Sequence, residues 1–167
     1  MKILLVGTKG IVEDARLKSF LIQKSFGEKK NSKLILSLEE CAYLAEKKKA
    51  AVIKKGRKLS FKEIIATAKV KNFLDRYLVF KDLRQKGYVV KTGLKFGFDF
   101  RVYPKGKKIG EAHTEFVVAV KPQHATFTPA EFARKVRMAQ TLNTKLLIAI
   151  VDSEGDINYY LTKREKL

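Results

Sequence analysis

The spacing of apolar residues along this 167-residue chain changes after Gly87. Ahead of that point, short apolar runs alternate with helical stretches. Residues 2–6, KILLV, and 33–36, KLIL, read as strands, the first ended by Gly7. Ser37-Leu38-Glu39-Glu40 has the form of a capping box: the serine hydroxyl accepts from the amide at Glu40, whose carboxylate reaches back. The helix it opens, LEECAYLAEKK, carries apolar residues at helical spacing. A short strand, 50–53, then meets KKGRK, a hairpin-like turn around Gly56. A second box, Ser60-Phe61-Lys62-Glu63, predicts a long helical stretch to Lys86, with a break expected between Val70 and Asn72. Gly87 suits the residue just past a helix end.

Beyond Gly87 the pattern is rich in strand formers. YVVKT (88–92), FDFRVY (98–103) and EFVVAV (115–120) are separated by Gly and Lys turns. Thr128-Pro129-Ala130-Glu131 is a third capping box with proline at the first helical position, followed by the helix EFARKVRMAQTL. LLIAIVD is the near-continuous apolar run of a strand buried on both faces. SEGD predicts a turn and INYYL a last strand; there is no internal repeat. The expectation is a mixed α/β (α+β) chain. Residues 1–72 would form a small mixed domain. Residues 73–167 would form an α/β domain with a central mixed sheet flanked by helices, restriction-endonuclease-like in outline.

Composition narrows the function. There are 36 Lys plus Arg against 17 Asp plus Glu, a formal net charge of +19. Such an excess repels itself unless a polyanion offsets it, and nucleic acid is the usual partner, through counterion release from phosphates. No apolar run approaches the roughly 18 residues of a membrane span. The first residues, MKILLVGTKGIVEDARL, read as a strand rather than a secretion signal. Cys41 is the single cysteine, so disulfide frameworks and cysteine-based zinc sites are excluded. These features predict a cytoplasmic protein, and the lysine abundance suits a heat-adapted source.

A metal nuclease needs clustered carboxylates. The candidates are Asp99, Glu111 and Glu115, but Glu115 is followed by Phe116-Val117, without the lysine that a restriction-type site would place there. Asp99, between Phe98 and Phe100, suits a structural bond to an arginine or a backbone amide. Phosphate-binding loops and a serine-nucleophile elbow are absent. RNA offers a route without metal or cofactor. A base removes the proton of the 2′-hydroxyl, an acid protonates the leaving 5′-oxygen, and a cation stabilises the phosphorane. Tyr, His and Lys suffice for these roles. Tyr103 and His113 flank one basic turn, but a tyrosine ending a strand and a histidine opening one are ordinary residues in packing and on surfaces.

Residues 77–106, YLVFKDLRQKGYVVKTGLKFGFDFRVYPKG, resemble the tRNA-intron splicing endonuclease family in its archaeal form. So do HTEFVVAV (113–120), VRMAQTLNTKLLIAIVD (136–152) and SEGDINYY (153–160). SLEECAYL and LSFKEI extend the likeness more loosely into the first part. The resemblance implies metal-independent cleavage of precursor tRNA at intron boundaries within a bulge-helix-bulge, leaving 2′,3′-cyclic phosphate and 5′-hydroxyl ends. It implies Tyr103 as general base and His113 as general acid.

The catalytic lysine of the family is the first of a basic pair ahead of the aliphatic strand. That pair here reads Thr144-Lys145. Either Lys145 substitutes, or the chain is the structural, RNA-docking subunit of a heterotetramer whose partner carries the full triad. A metal-dependent nuclease of similar topology is a remote third reading. The resemblance also implies that the acidic turn, Asp152, Glu154 and Asp156, docks into a basic groove of another subunit, in a homotetramer or a heterotetramer. Tyr159 and Tyr160 are candidates for a two-fold interface or for plain core. Arg137 is similar to the family arginine that stacks on an extruded base. Arg101, Lys105, Lys107 and Lys108 are candidate phosphate contacts.

Overall fold

The computed structural model describes residues 1–107 and 110–167. The chain divides into two compact units, Met1–Tyr77 and Leu78–Leu167.

The first unit holds β1 (Lys2–Val6), β2 (Lys9–Val12), α1 (Ala15–Gln23), β3 (Glu28–Lys30), β4 (Lys33–Leu36), α2 (Leu38–Glu46), β5 (Ala51–Lys54), β6 (Arg57–Lys58) and α3 (Phe61–Ala66). The strands form one sheet in the order β3-β4-β2-β1-β5-β6, antiparallel except for the β1–β5 pair. β2, α1 and β3 are absent from the sequence reading, because KGIV and EKK are too short to carry a pattern. The start of α1 did leave a signal: the Asp14 carboxylate accepts from the Leu17 amide at 2.7 Å. Alternate residues of β1 point inward, so Ile3 and Leu5 are buried with Val12, Leu34, Leu36 and Val52. Gly10 lets α2 lie close over β2. A methyl group there would sit 2.4 Å from Cys41 Sγ and 2.7 Å from Ile3 Cγ2.

Two of the three expected capping boxes close in both directions. Ser37 and Glu40 exchange bonds of 3.2 and 2.9 Å, and Ser60 and Glu63 bonds of 3.3 and 2.7 Å. Glu40 also accepts from the Gly27 amide at 2.9 Å, which ties the approach to β3 onto α2. In the third, Thr128 Oγ1 accepts from the Glu131 amide at 3.1 Å, but the Glu131 carboxylate turns to Lys121, 3.6 Å away.

The helical stretch expected after Ser60 does break, though the break opens ahead of Val70. α3 ends at Ala66 and α4 spans Phe73–Gln85, with Asn72 in the left-handed region at φ 55° just before it. The division between units falls within α4. Its first part is held to α2 by two polar contacts. Arg76 bonds Glu39 through Nε at 3.2 Å and Nη2 at 2.9 Å, with both side chains buried. The Tyr77 hydroxyl donates to Glu46 at 2.8 Å. Burial, and then the bond to Glu46, push the Tyr77 phenol well above the usual tyrosine range.

The second unit adds β7 (Val89–Thr92), a 3₁₀ turn at Leu94–Phe96, β8 (Phe100–Tyr103), β9 (Phe116–Pro122), α5 (Pro129–Thr141), β10 (Lys145–Val151) and β11 (Ile157–Thr162). Their order is β11-β10-β9-β8-β7; β9 and β10 are parallel and every other pair is antiparallel. β8 starts two residues later than the sequence pattern predicts. α5 is the crossover between β9 and β10, and its Val136 and Ala139 pack with Phe98, Val117, Ala119, Leu146 and Ile148. Phe80 of α4 meets Phe100, ring centroids 6.0 Å apart. Among the described residues no helix is long and apolar enough to cross a membrane.

The close approach at Gly10 generates a test. Gly10→Ala is expected to cost about 1–3 kcal/mol, as for other overpacked cores. Adding Cys41→Ala, which removes the nearest clashing atom, is expected to recover part of that loss in urea unfolding. A Gly10→Ala chain as stable as the parent would contradict the packing of α2 on β2.

Candidate active site at one end of the C-terminal sheet

Register brings the sequence candidates to one end of the five-stranded sheet. Val90, Val102, Phe116 and Lys145 form one row across β7, β8, β9 and β10. Tyr103, the last residue of β8, lies one step beyond that row. His113 lies three residues ahead of β9 and is exposed. The Glu115 amide still donates to Val102 O at 2.8 Å, so the segment behind His113 stays beside β8. Tyr103 is mostly covered, at 7% exposure.

Strand phase separates Thr144 from Lys145. Lys145 belongs to the row of Val102 and Phe116 and is exposed. Tyr103 and Thr144, each one residue outside the row, fall on the opposite side, the side of Val117 and Leu146 that α5 covers. Thr144 is fixed there by its amide, which donates to Ala139 O of α5 at 3.0 Å. Its hydroxyl is the one buried side-chain polar atom without a hydrogen-bond partner among the described residues. The position in phase with Tyr103 therefore holds an unpartnered hydroxyl, and Lys145, its neighbour on the strand, sits on the other face.

The basic candidates divide. Arg101 is half-buried; its Nε donates to Thr92 O at 3.0 Å and its guanidinium lies 5.9 Å from the Phe96 ring. Lys105 is exposed, with its ammonium 5.0 Å from the centre of the Tyr88 ring. Tyr88 in turn packs edge-on to Phe116 at 6.3 Å. Tyr88 is a residue that the sequence reading missed; its place directly after Gly87 was the only signal. Lys107 and Arg137 are exposed. Because α5 runs from the end of β9 back to the start of β10, Arg137, in its second half, lies toward the Lys145 end. Lys108 lies outside the described residues. Asp99 is occupied structurally: its carboxylate accepts from the Val120 amide at 2.7 Å.

The acidic turn is at the far end of β10, seven residues or roughly 20 Å of strand away. The Asp152 carboxylate accepts from the amides of Glu154 and Asp156, both at 2.9 Å, and so shapes the turn itself. Glu154 and Asp156 are exposed. Tyr159 turns inward: its hydroxyl donates to Asp82 of α4 at 2.6 Å, and Lys86 lies 5.2 Å from its ring. Tyr160 and Leu161, at 53% and 57% exposure, occupy the sheet's open edge strand.

Comparison with known proteins covers both units. Residues 73–159 match the family described as tRNA intron endonuclease, catalytic C-terminal domain, and residues 1–65 match tRNA intron endonuclease, N-terminal domain. The chain is 42% identical over 140 residues to the tRNA-splicing endonuclease of Thermococcus kodakarensis, covering 83% of this chain and 82% of that protein. It is 40% identical over 136 residues to the tRNA-splicing endonuclease of Methanothermobacter thermautotrophicus, covering 81% and 80%. To that of Methanococcus vannielii it is 41% identical over 145 residues, covering 85% and 81%.

The Tyr159–Asp82 bond has a measurable signature. Burial, and then the bond to Asp82, push the Tyr159 phenol above the usual tyrosine range. Its contribution to stability is therefore complete below the unfolded value near 10 and is lost as pH rises above it. Tyr159→Phe is expected to cost about 1 kcal/mol at neutral pH and to flatten the alkaline loss of stability. An unchanged alkaline limb would show that Tyr159 carries none of it.

Proposed function

The chain belongs to the tRNA intron endonuclease family, and on that premise we propose that it is a subunit of a tRNA-splicing endonuclease acting on precursor tRNA. The observation that carries the reading is the convergence of Tyr103, the segment of His113, and Lys145 at one end of the β8-β9-β10 sheet.

The chemistry is an in-line transfer at phosphorus. Tyr103, as phenolate, takes the proton of the 2′-hydroxyl at the intron boundary. The freed oxygen bonds to the adjacent phosphorus, and the bond from phosphorus to the 5′-oxygen breaks. His113 gives its proton to that leaving oxygen. The products are a 2′,3′-cyclic phosphate and a 5′-hydroxyl. The nucleophile is tethered to its target, so no water has to be positioned. An ordinary phenol titrates near pH 10, so a base of this kind needs a cation beside it, and the phosphorane needs one too. Lys145 is this chain's own candidate. In this reading the exposed arginine of α5, Arg137, stacks on an unpaired base, and Lys105 and Lys107 meet phosphate.

The placement of Thr144 favours a second reading, in which this chain is the structural and RNA-docking half of a heterotetramer. Its hydroxyl cannot supply the charge, and Lys145 projects from the other side of the strand. The acidic turn supports assembly in either case. It lies at the opposite end of the sheet from Tyr103, where its exposed Glu154 and Asp156 serve another basic subunit better than this chain's own centre.

One assay separates the readings: cleavage of intron-containing precursor tRNA in excess EDTA, by the chain alone and with a second subunit. If this chain cuts, His113→Ala is expected to lower the rate by about 10²–10⁴-fold. Lys145→Ala is expected to abolish activity, and Thr144→Lys to raise it. If the chain is structural, it cuts only with the partner, and His113→Ala leaves that rate unchanged. Loss of all cleavage in EDTA would point to a metal enzyme and overturn both. For assembly, Glu154→Gln/Asp156→Asn is expected to shift the chain to a smaller species on a sizing column. An unchanged elution volume would refute the docking role of the turn.

A further inference from the structure

We infer that the first unit carries a second RNA-backbone site, the basic groove between the β5–β6 hairpin and α3, apart from the cleavage centre of the second unit. The inference rests on the RNA-processing reading above.

The groove encloses about 490 Å³ and is lined by Lys54, Lys55, Arg57, Glu63 and Thr67, among others. It lies within the most unbalanced part of the sequence. Residues 47–71 hold ten of the 36 basic side chains and one of the 17 acidic ones, a net charge of +9 within the total of +19. The single acid, Glu63, is already engaged. It bonds the Ser60 amide and receives Arg57 at 2.6 Å. Those bonds, the Ser60 amide first, hold its carboxyl at about 2, well below the usual range, so it stays ionised and committed to Arg57. Among the described residues Lys54, Lys55, Lys58 and Lys62 form no ion pair.

Backbone conformation adds an independent observation. Among the described residues, six non-glycine residues have positive φ: three asparagines, Ser25, and two lysines, Lys48 at 54° and Lys55 at 50°. Asparagine tolerates the left-handed region, and lysine gains nothing from it. Both lysines flank β5. Lys48 is the middle of the run Lys47-Lys48-Lys49 just past α2, where glycine would be the favoured residue. Lys55 heads the two-residue turn Lys55-Gly56, where both central residues have positive φ and asparagine would be the favoured partner of glycine. A cation stands at each of two positions where another residue would fold more easily. A role for the charge accounts for both.

A phosphate backbone suits this surface better than a protein segment does. The lysines are spread over two loops and a helix, which fits an extended chain of evenly spaced anions. The turn at Asp152–Asp156 offers three carboxylates, one of them used within the turn.

The test is equilibrium binding of precursor tRNA carrying 2′-deoxy sugars at the scissile positions, which blocks the attack, titrated between about 50 and 200 mM salt. The probe is the full chain with Lys54→Gln/Lys55→Asn/Lys58→Gln. The control is Lys2→Gln/Lys29→Gln/Lys30→Gln, which removes the same charge from exposed positions elsewhere in the unit. The hairpin variant is expected to bind at least about tenfold more weakly, with a salt slope shallower by about two. The control is expected to lose far less. Lys55→Asn alone is expected to raise the melting temperature, so weaker binding cannot be laid to unfolding. Equal losses in both variants, or none in the hairpin variant, would overturn the site. So would unchanged RNA affinity with a smaller assembly, which would give the groove to another subunit's acidic turn. Cleavage of unmodified precursor by the wild-type assembly tests the parent reading separately.

Discussion

A parallel strand pair joined by a helix must begin both of its strands at the same end of the sheet. That constraint, imposed by β9, α5 and β10, is what the candidate site depends on. β8 runs antiparallel to β9 and so finishes where β9 and β10 start. A tyrosine closing one strand, a histidine leading into the next, and the first residues of a third are thereby gathered from distant parts of the sequence. The face covered by α5 secures the arrangement, because Val117, Ala119, Leu146 and Ile148 can be buried beneath Val136 and Ala139 only in one register.

The same period-two rule distinguishes Thr144 from Lys145. Side chains on consecutive strand residues point to opposite faces, so a lysine displaced by one position is not an equivalent lysine. Thr144 is also held by its amide to the end of α5, which leaves little freedom to rotate its neighbour into phase. A buried hydroxyl without a partner is ordinarily a cost of about 1–3 kcal/mol. That of Thr144 lies in the row of Tyr103, the residue proposed as general base.

Charge is organised with comparable care. Acidic residues are scarce, and several are committed to structure: Glu39 to Arg76, Glu40 to the Ser37 cap, Glu63 to the Ser60 cap, Asp82 to Tyr159 and Asp99 to the Val120 amide. The exposed surface is left strongly basic, and two exposed carboxylates, Glu154 and Asp156, stand together in one turn. A chain of this kind attracts polyanions over much of its surface, with one compact acidic turn set within that field.

Local chemistry was legible without coordinates. The caps at Ser37, Ser60 and Thr128, the hairpin at Gly56, the change to strand spacing after Gly87 and the buried run of β10 all declare themselves within a few neighbouring residues. So did the family, through motifs carried on contiguous stretches. β2 and β3 were not legible, because strands of three or four residues exist only through the partners that pair with them. The split between α3 and α4 was half legible, since its location depends on Asn72 taking a left-handed turn. The contacts of Arg101 and Tyr159 were decided by tertiary structure alone. Each binds a group far away in sequence or across a turn, and composition does not say whether a polar side chain will meet solvent, RNA or its own backbone. The sequence by itself determined which chemical groups the chain possesses and where its local elements begin. Tertiary structure decided which groups share a face, because that depends on strand register, and register is set by burial summed over the whole sheet.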